Sequence, residues 1–223
     1  MGLNKSTGNM YSFVTHTWNT VKGKCPHDCS YCYMKRWGEQ KPVRFDEKEL
    51  PEFERDIKKE GEGLFIFVGS SCDMWANGIP KEWIIDTLKM LHKHDNKYLL
   101  QTKNPARYST FGLGDGFNTN FILGTTIETN RYYNVMGKTP LPGERAKVLS
   151  GLRNKKFITI EPIIDFDVKE FAEMINWAGP DWVNIGADSG NNNLPEPPKE
   201  KIDELIKLLN GKITIKKNMK RIK

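Results

Sequence analysis

Three of the four cysteines in this 223-residue chain fall within eight residues, in the segment Cys25-Pro-His-Asp-Cys29-Ser-Tyr31-Cys32. Thiols crowded in this way cannot pair up as disulfides across a fold, so they commit a short loop to metal or redox chemistry. Three thiolates on one curling loop can take three corners of a cubane iron–sulfur cluster. Such a cluster normally has four protein thiolates, so a three-cysteine loop leaves one iron open to a small molecule. The alternative is a zinc ion completed by His27 or by the distant Cys72. Zinc loops usually show paired C-x2-C knuckles, and here only Cys29 and Cys32 have that spacing. Cys72 alone remains, too little for a second cluster or for the reactions that usually need one, such as sulfur insertion.

The composition is that of a soluble globular chain, 38% hydrophobic and carrying a net charge of +6. No apolar run approaches the roughly 20 residues needed to cross a bilayer. The segment Met1–Tyr11 lacks the charged-then-apolar layout of a signal peptide, which gives a cytoplasmic expectation. Six basic residues, Lys212, Lys216, Lys217, Lys220, Arg221 and Lys223, crowd the last twelve positions, and without them the chain is near neutral. The excess therefore reads as a solvated or cofactor-facing terminus, with polyanion contact as the alternative.

Short β-branched or aromatic runs alternate with amphipathic stretches. The strand candidates are Phe13–Val21, Leu64–Gly69, Lys97–Thr102, Phe121–Ile127, Lys156–Ile160 and Trp182–Ile185, with Ile213–Lys216 as a seventh. The helical patterns are Lys81–His94 with Pro80 at its first position, Glu144–Leu152, Val168–Trp177 and Lys199–Leu209. Asp46–Lys59 reads as a charged helix with few core contacts. Alternation of this kind predicts βαβ units, a mostly parallel sheet and a single α/β domain over residues 1–223. Six units suit a partial (β/α)6 TIM-like barrel, with a doubly wound open sheet as the alternative. In both, chemistry belongs at the C-terminal strand ends. Polar clusters stand there, from Cys25–Cys32 and Ser70–Asp73 to Lys103–Asn104, Glu128, Glu161 and Asp188–Ser189.

The C-x3-C-x2-C spacing, with Tyr31 just before the last cysteine, resembles the signature of the radical S-adenosylmethionine (SAM) superfamily. The segments Phe67-Val-Gly-Ser-Ser-Cys-Asp73, Leu100-Gln-Thr-Lys-Asn-Pro105, Gly124-Thr-Thr-Ile-Glu128, Ile160-Glu-Pro162, Asn184-Ile-Gly-Ala-Asp-Ser-Gly190 and Ile215-Lys-Lys-Asn218 resemble those of one branch in kind and order. That branch is an uncharacterised, phage-associated group, with spore photoproduct lyase as a more distant relative.

The resemblance implies a [4Fe–4S] cluster on Cys25, Cys29 and Cys32 that reductively cleaves SAM to a 5′-deoxyadenosyl radical, which abstracts a hydrogen atom from substrate. Tyr31 is implied to lie against the adenine. Gly69, Ser70 and Ser71 stand where backbone carbonyls receive the SAM ammonium, although the serines depart from the commoner Gly-Gly-Glu. Thr126 and Glu128 are implied to accept from the ribose hydroxyls, and Thr102 and Lys103 to meet the methionine carboxylate. Glu161 either faces the cavity or pairs with Lys216 or Lys217. Cys72, with Asp73, stands in a region comparable to the lyase cysteine that returns a hydrogen atom to the product radical; the alternative is a small buried residue. Trp18, beside His16 and Asn19, reads as packing or as cluster shielding. The implied partners are an electron donor such as flavodoxin or ferredoxin and a substrate in the direction of nucleotides or nucleic acid, the enzyme acting as a monomer away from membranes. The competing reading is a zinc-stabilised nucleic-acid-binding module without catalysis.

Overall fold

The computed structural model describes residues 2–222, so Met1 and Lys223 of the terminal segments read above lie outside it. One eight-stranded sheet organises the chain. It comprises β1 (Asn4–Lys5), β2 (His16–Trp18), β5 (Phe65–Val68), β6 (Lys97–Thr102), β7 (Phe121–Thr126), β8 (Lys156–Ile160), β9 (Trp182–Ile185) and β10 (Lys212–Ile215). The short strands β3 (Val21–Lys22) and β4 (Arg44–Phe45) pair separately as a hairpin beside it. The eight strands hydrogen-bond in chain order. All neighbours from β2 to β10 are parallel, and only β1 runs antiparallel at its edge. A sheet that always adds its next strand on the same side keeps its crossovers on one face and curls as a barrel does. This is the mostly parallel, barrel-like α/β architecture expected, with seven parallel strands rather than six because the seventh candidate pairs with β9.

Five helices cross over: α1 (Glu49–Glu60), α2 (Lys81–Leu91), α3 (Pro142–Ser150), α4 (Val168–Ala178) and α5 (Lys199–Leu208). Pro80 stands just before α2 rather than in its first position, and α3 begins at Pro142, where a fixed φ suits the first turn. Between β6 and β7 the crossover is only a 3-10 helix, Pro105–Phe111. On the helical side, Ile66, Val68, Tyr98, Leu100 and Leu123 pack with α1 and α2, while Ile158, Ile160, Val183 and Ile185 pack with α3, α4 and α5.

α1 departs from its sequence reading. Its charged residues conceal a core stripe in which Phe53 and Ile57 are buried, with the Phe53 ring 4.2 Å from that of Trp18. Eight of its twelve residues are charged, but a single i, i+4 apolar pair is enough to seat a helix.

The concave face alternates with the helical one, as the two-residue strand period requires. It presents Phe65, Phe67, Leu99, Ile122, Phe157 and Trp182, and these are covered by the chain's own N-terminal segment. Tyr11 sets its ring edge against Phe157 at 4.9 Å, and Phe13 packs on Phe65 at 4.9 Å and Trp182 at 5.7 Å. This is why β2 starts at His16: Phe13, read as strand, turns inward instead. Gly124 is required in the same layer, since a Cβ there would stand 3.2 Å from Leu99 and 3.3 Å from Phe157. Above the aromatic layer the lining becomes polar, with Gln101 bonded to Thr126 at 3.1 Å and to the Tyr11 hydroxyl at 3.0 Å.

Phe53→Ala is expected to cost about 3–5 kcal/mol, as removal of a fully buried ring does. It should lower the urea midpoint without changing the slope. An unchanged midpoint would mean that α1 lies off the core.

Candidate functional site

The cysteine loop leaves β3 and curls through two tight turns, closed by Asp28 N–H donating to the Cys25 carbonyl at 3.1 Å and Cys32 N–H to the Cys29 carbonyl at 3.2 Å. Asp28 takes a left-handed conformation at φ 53° to turn the chain between them. A 3-10 helix, Tyr33–Trp37, continues from Cys32. The outer side of the loop is backed by the connection between β7 and α3. Lys138 N–H donates to the His27 carbonyl at 2.7 Å, Ser30 N–H to Val135 at 2.9 Å, and the Cys29 thiol to the Met136 carbonyl at 3.2 Å. The two segments approach so closely at Gly137, φ 66°, that a Cβ would run into the His27 carbonyl oxygen.

The loop is tied to the sheet by Asp73, which follows β5. Its Oδ2 lies 2.9 Å from His27 Nε2 and accepts from Thr102 Oγ1 at 2.8 Å and the Lys103 backbone at 2.8 Å. Its Oδ1 accepts from Trp75 N–H at 2.9 Å. Burial works to raise the Asp73 pKa, but the His27 contact outweighs it and holds the carboxyl below its ordinary value. The same contact overrides burial in the other direction and raises the His27 pKa, favouring imidazolium. Asp73 was read from the sequence beside Cys72; its Oδ2 joins the cysteine loop to the end of β6, and its Oδ1 holds its own turn.

At the C-terminal strand ends lies a cavity of about 460 Å³. Cys25, Cys29, Cys32 and Tyr31 line one wall. Gly69, Ser70, Ser71 and Cys72 line a second, and Thr102, Lys103, Thr126 and Glu161 face them. Sequence reasoning therefore brought nearly all its candidates to one place. The turn after β5 needs a positive φ at Gly69, 81°, and is held by Asn19, whose Oδ1 accepts from Ser71 N–H at 2.8 Å and from Ser70 Oγ at 3.2 Å. The Ser70 carbonyl accepts from Tyr33 at 2.8 Å. Cys72 is buried, and the two neighbouring thiols act on each other, lowering the Cys25 pKa and raising that of Cys72. Burial raises the pKa of Cys29 and Cys32. All four are free thiols. Trp18 is core packing, with no exposed surface.

Glu161 does both things the sequence left open. It lines the cavity and pairs with Lys216 at 2.8 Å, while Asn9 donates to it at 3.1 Å. The basic terminus is thereby folded into the site. Lys216 closes on Glu161 and Arg221 pairs with Glu196, so neither is a free tail charge.

Glu128, expected at the cavity, is fully buried and is not among its lining residues, although two of its partners, Tyr31 and Lys103, are. Its Oε1 accepts from Tyr31 and Lys103, and Oε2 from Arg145 Nη1 at 2.7 Å. Burial alone would raise its pKa; Arg145 first and Lys103 second reverse that and hold it well below the carboxylate range. Sequence reasoning missed Arg145, Gln101 and Asn9. Arg145 carried a signal, because Pro142, Arg145, Ala146 and Leu149 form an i, i+3, i+4, i+7 stripe, and a charge on the buried stripe of a helix demands a buried partner. Gln101 and Asn9 carried none.

The fold is similar to that of spore photoproduct lyase. A double mutant of spore photoproduct lyase with bound AdoMet and dinucleoside spore photoproduct superposes with a TM-score of 0.60 at 13% identity, over 91% of this chain and 63% of that one. A single-site mutant of the lyase gives 0.62 at 13% identity over 92% and 64%, and the lyase complexed with dinucleoside spore photoproduct gives 0.60 at 14% over 91% and 63%. The chain thus spans a little under two thirds of the lyase chains it matches, and at this identity the likeness is one of fold. Residues 9–202 match the family described as "Protein of unknown function (DUF5131)", and the chain belongs to that family. No curated protein matches it in sequence. No helix among the described residues is long and apolar enough to cross a membrane.

Gly137→Ala should destabilise by more than about 1 kcal/mol, through both its positive φ and the collision with the cysteine loop; an unchanged melting temperature would refute that contact. For Glu128 the sign follows from its lowered pKa. The stability it contributes is complete above its ordinary value of 4.5 and is lost as the pH falls towards the depressed folded value. Glu128→Gln is therefore expected to cost about 3–5 kcal/mol at neutral pH, by stranding the Arg145 cation, and to flatten the acid limb of a stability–pH curve. An acid limb parallel to the parent's would exclude Glu128 as its source.

Proposed function

We propose that this chain is a radical SAM enzyme. The observation that carries the reading is that three free thiols of one short loop, Cys25, Cys29 and Cys32, line the same cavity at the C-terminal strand ends. The donor set fits the group: three soft thiolates suit iron in a cluster and leave one corner open. A cavity of about 460 Å³ also falls within the range of about 300–1,000 Å³ common to small-molecule sites. When bound and reduced, a [4Fe–4S] cluster with SAM supplies a 5′-deoxyadenosyl radical able to take a hydrogen atom from substrate.

The chain's own residues then divide the work. Cys25, Cys29 and Cys32 hold the cluster, and Asp73 with His27 keeps their loop against β6. Tyr31 lines the cavity with its hydroxyl held by Glu128 and Lys103. Lys103 presents an ammonium and Thr102 stands beside it, suited to a carboxylate. Thr126 is left with the ribose-facing role, since Glu128 is engaged elsewhere. Gly69, Ser70 and Ser71 bring main-chain carbonyls to the second wall. Cys72 is proposed as hydrogen-atom donor, supported by its place in the cavity lining beside Gly69, Ser70 and Ser71.

The proposed substrate class is a nucleotide or nucleic acid. Its support is the 3-10 helix that follows the cysteine loop, where Tyr33, 48% exposed, and Trp37, 77% exposed, flank Lys35 and Arg36. Exposed rings among cations suit stacked bases and a phosphate backbone. The electron is taken to come from a flavodoxin or ferredoxin, and the phage association belongs to the same proposal.

Anaerobic purification followed by counting iron, sulfide and zinc, then addition of dithionite and SAM, tests this directly. About four irons with sulfide, and 5′-deoxyadenosine formed only with reductant, are expected. Cys25→Ala, Cys29→Ala and Cys32→Ala should each abolish both, and Cys72→Ala should retain the iron. One zinc per chain with no sulfide and no 5′-deoxyadenosine would replace the enzyme with a zinc-stabilised binding module.

A further inference from the structure

We propose that Arg145 is a positioning residue that fixes the cysteine loop in its metal-receiving shape from both sides at once. The proposal rests on the reading of Cys25, Cys29 and Cys32 as cluster ligands, and it concerns a residue that touches none of them.

Arg145 has no exposed surface. A guanidinium is a rigid planar fork of five donors, and here its three nitrogens reach four acceptors in two directions. Towards the cavity, Nη1 donates to the Thr126 carbonyl at 2.9 Å and to Glu128 Oε2 at 2.7 Å. Glu128 passes the constraint on, because its other oxygen accepts from the Tyr31 hydroxyl, and Tyr31 stands between Cys29 and Cys32. Lys103 completes that node, donating to Tyr31 at 2.8 Å.

In the other direction, Nε donates to the Pro140 carbonyl at 2.7 Å and Nη2 to Thr139 Oγ1 at 2.6 Å. These two residues end the segment whose Val135, Met136 and Lys138 hold the outside of the cysteine loop. One side chain on α3 thus sets the inner face of the loop through Tyr31 and the outer face through residues 135–138.

A buried ion pair is a poor device for stability alone, since an apolar pair of similar volume serves as well. Its particular contribution is geometry. A loop of eight residues that must present three thiols to one group binds more tightly when it is ordered beforehand. Lysine cannot substitute, because an ammonium with three donors on a flexible stem cannot hold four acceptors on two sides.

The test uses Arg145→Lys and the double variant Glu128→Gln/Arg145→Met, which removes both members of the fully buried pair together. The first readout is amide hydrogen exchange in metal-free protein. Exchange should accelerate at least about tenfold in residues 25–32 and 133–140, while strands β6 to β8 keep the parent's protection. The second readout is iron retention against a chelator, expected to fall about 10–100-fold, as for other residues that orient metal ligands. Parent-like loop protection in either folded variant, or acceleration spread evenly over the sheet, would overturn the proposal. Should both variants fail to fold, Thr139→Val removes one arm only, and unaltered exchange at residues 133–140 in that variant would overturn it equally. A parent protein that takes up no iron would end the cluster reading, while the exchange measurement would still decide the role of Arg145.

Discussion

The carboxylate of Asp73 accepts from four donors, and the arrangement of the cavity follows from that meeting. Two of the donors, Thr102 and Lys103 N–H, end β6; one, Trp75 N–H, fixes the turn after β5; and the fourth, His27, belongs to the cysteine loop. Two walls of the cavity are thereby fixed to each other through a single group. The contact lowers the Asp73 pKa and raises that of His27, so each side chain favours the charged form of the other. A loop carrying three thiols has little apolar surface to bury, so it needs such an anchor to stay folded back on the sheet.

Other contacts repeat the pattern of a local element held by a distant one. Asn19 holds the turn after β5, Gly137 lets the β7–α3 connection close on the cysteine loop, and Lys216 reaches from β10 to Glu161. The site is built less from side chains aimed at a ligand than from backbone turns immobilised by buried polar groups. Such turns keep their geometry at a strand end, where no ladder continues to support them.

The fold was legible because its strands are continuous apolar runs. β6, β8 and β9 begin and end at the residues the sequence marked, Lys97–Thr102, Lys156–Ile160 and Trp182–Ile185. What escaped were features set by tertiary partners. Phe13 belongs to a strand by composition but to the concave face by packing, and Phe53 was masked by the charges around it. Most cavity residues were legible because polar groups at strand ends converge in any barrel-like sheet. Glu128 shows the limit. The sequence places it at a strand end as it does Glu161, yet it is fully buried and paired with Arg145, seventeen residues on. Nothing within either segment distinguishes a carboxylate that will face a ligand from one that will face a guanidinium; only the register of a helix on a neighbouring crossover does so.

The aromatic N-terminal segment bears on the shape of the cavity. Tyr11, Phe13 and Phe157 close the lower end of the concave face, and Met10 and Tyr11 form the floor on which any occupant rests. The depth of the cavity is therefore set by the chain's own N-terminal segment rather than by the sheet.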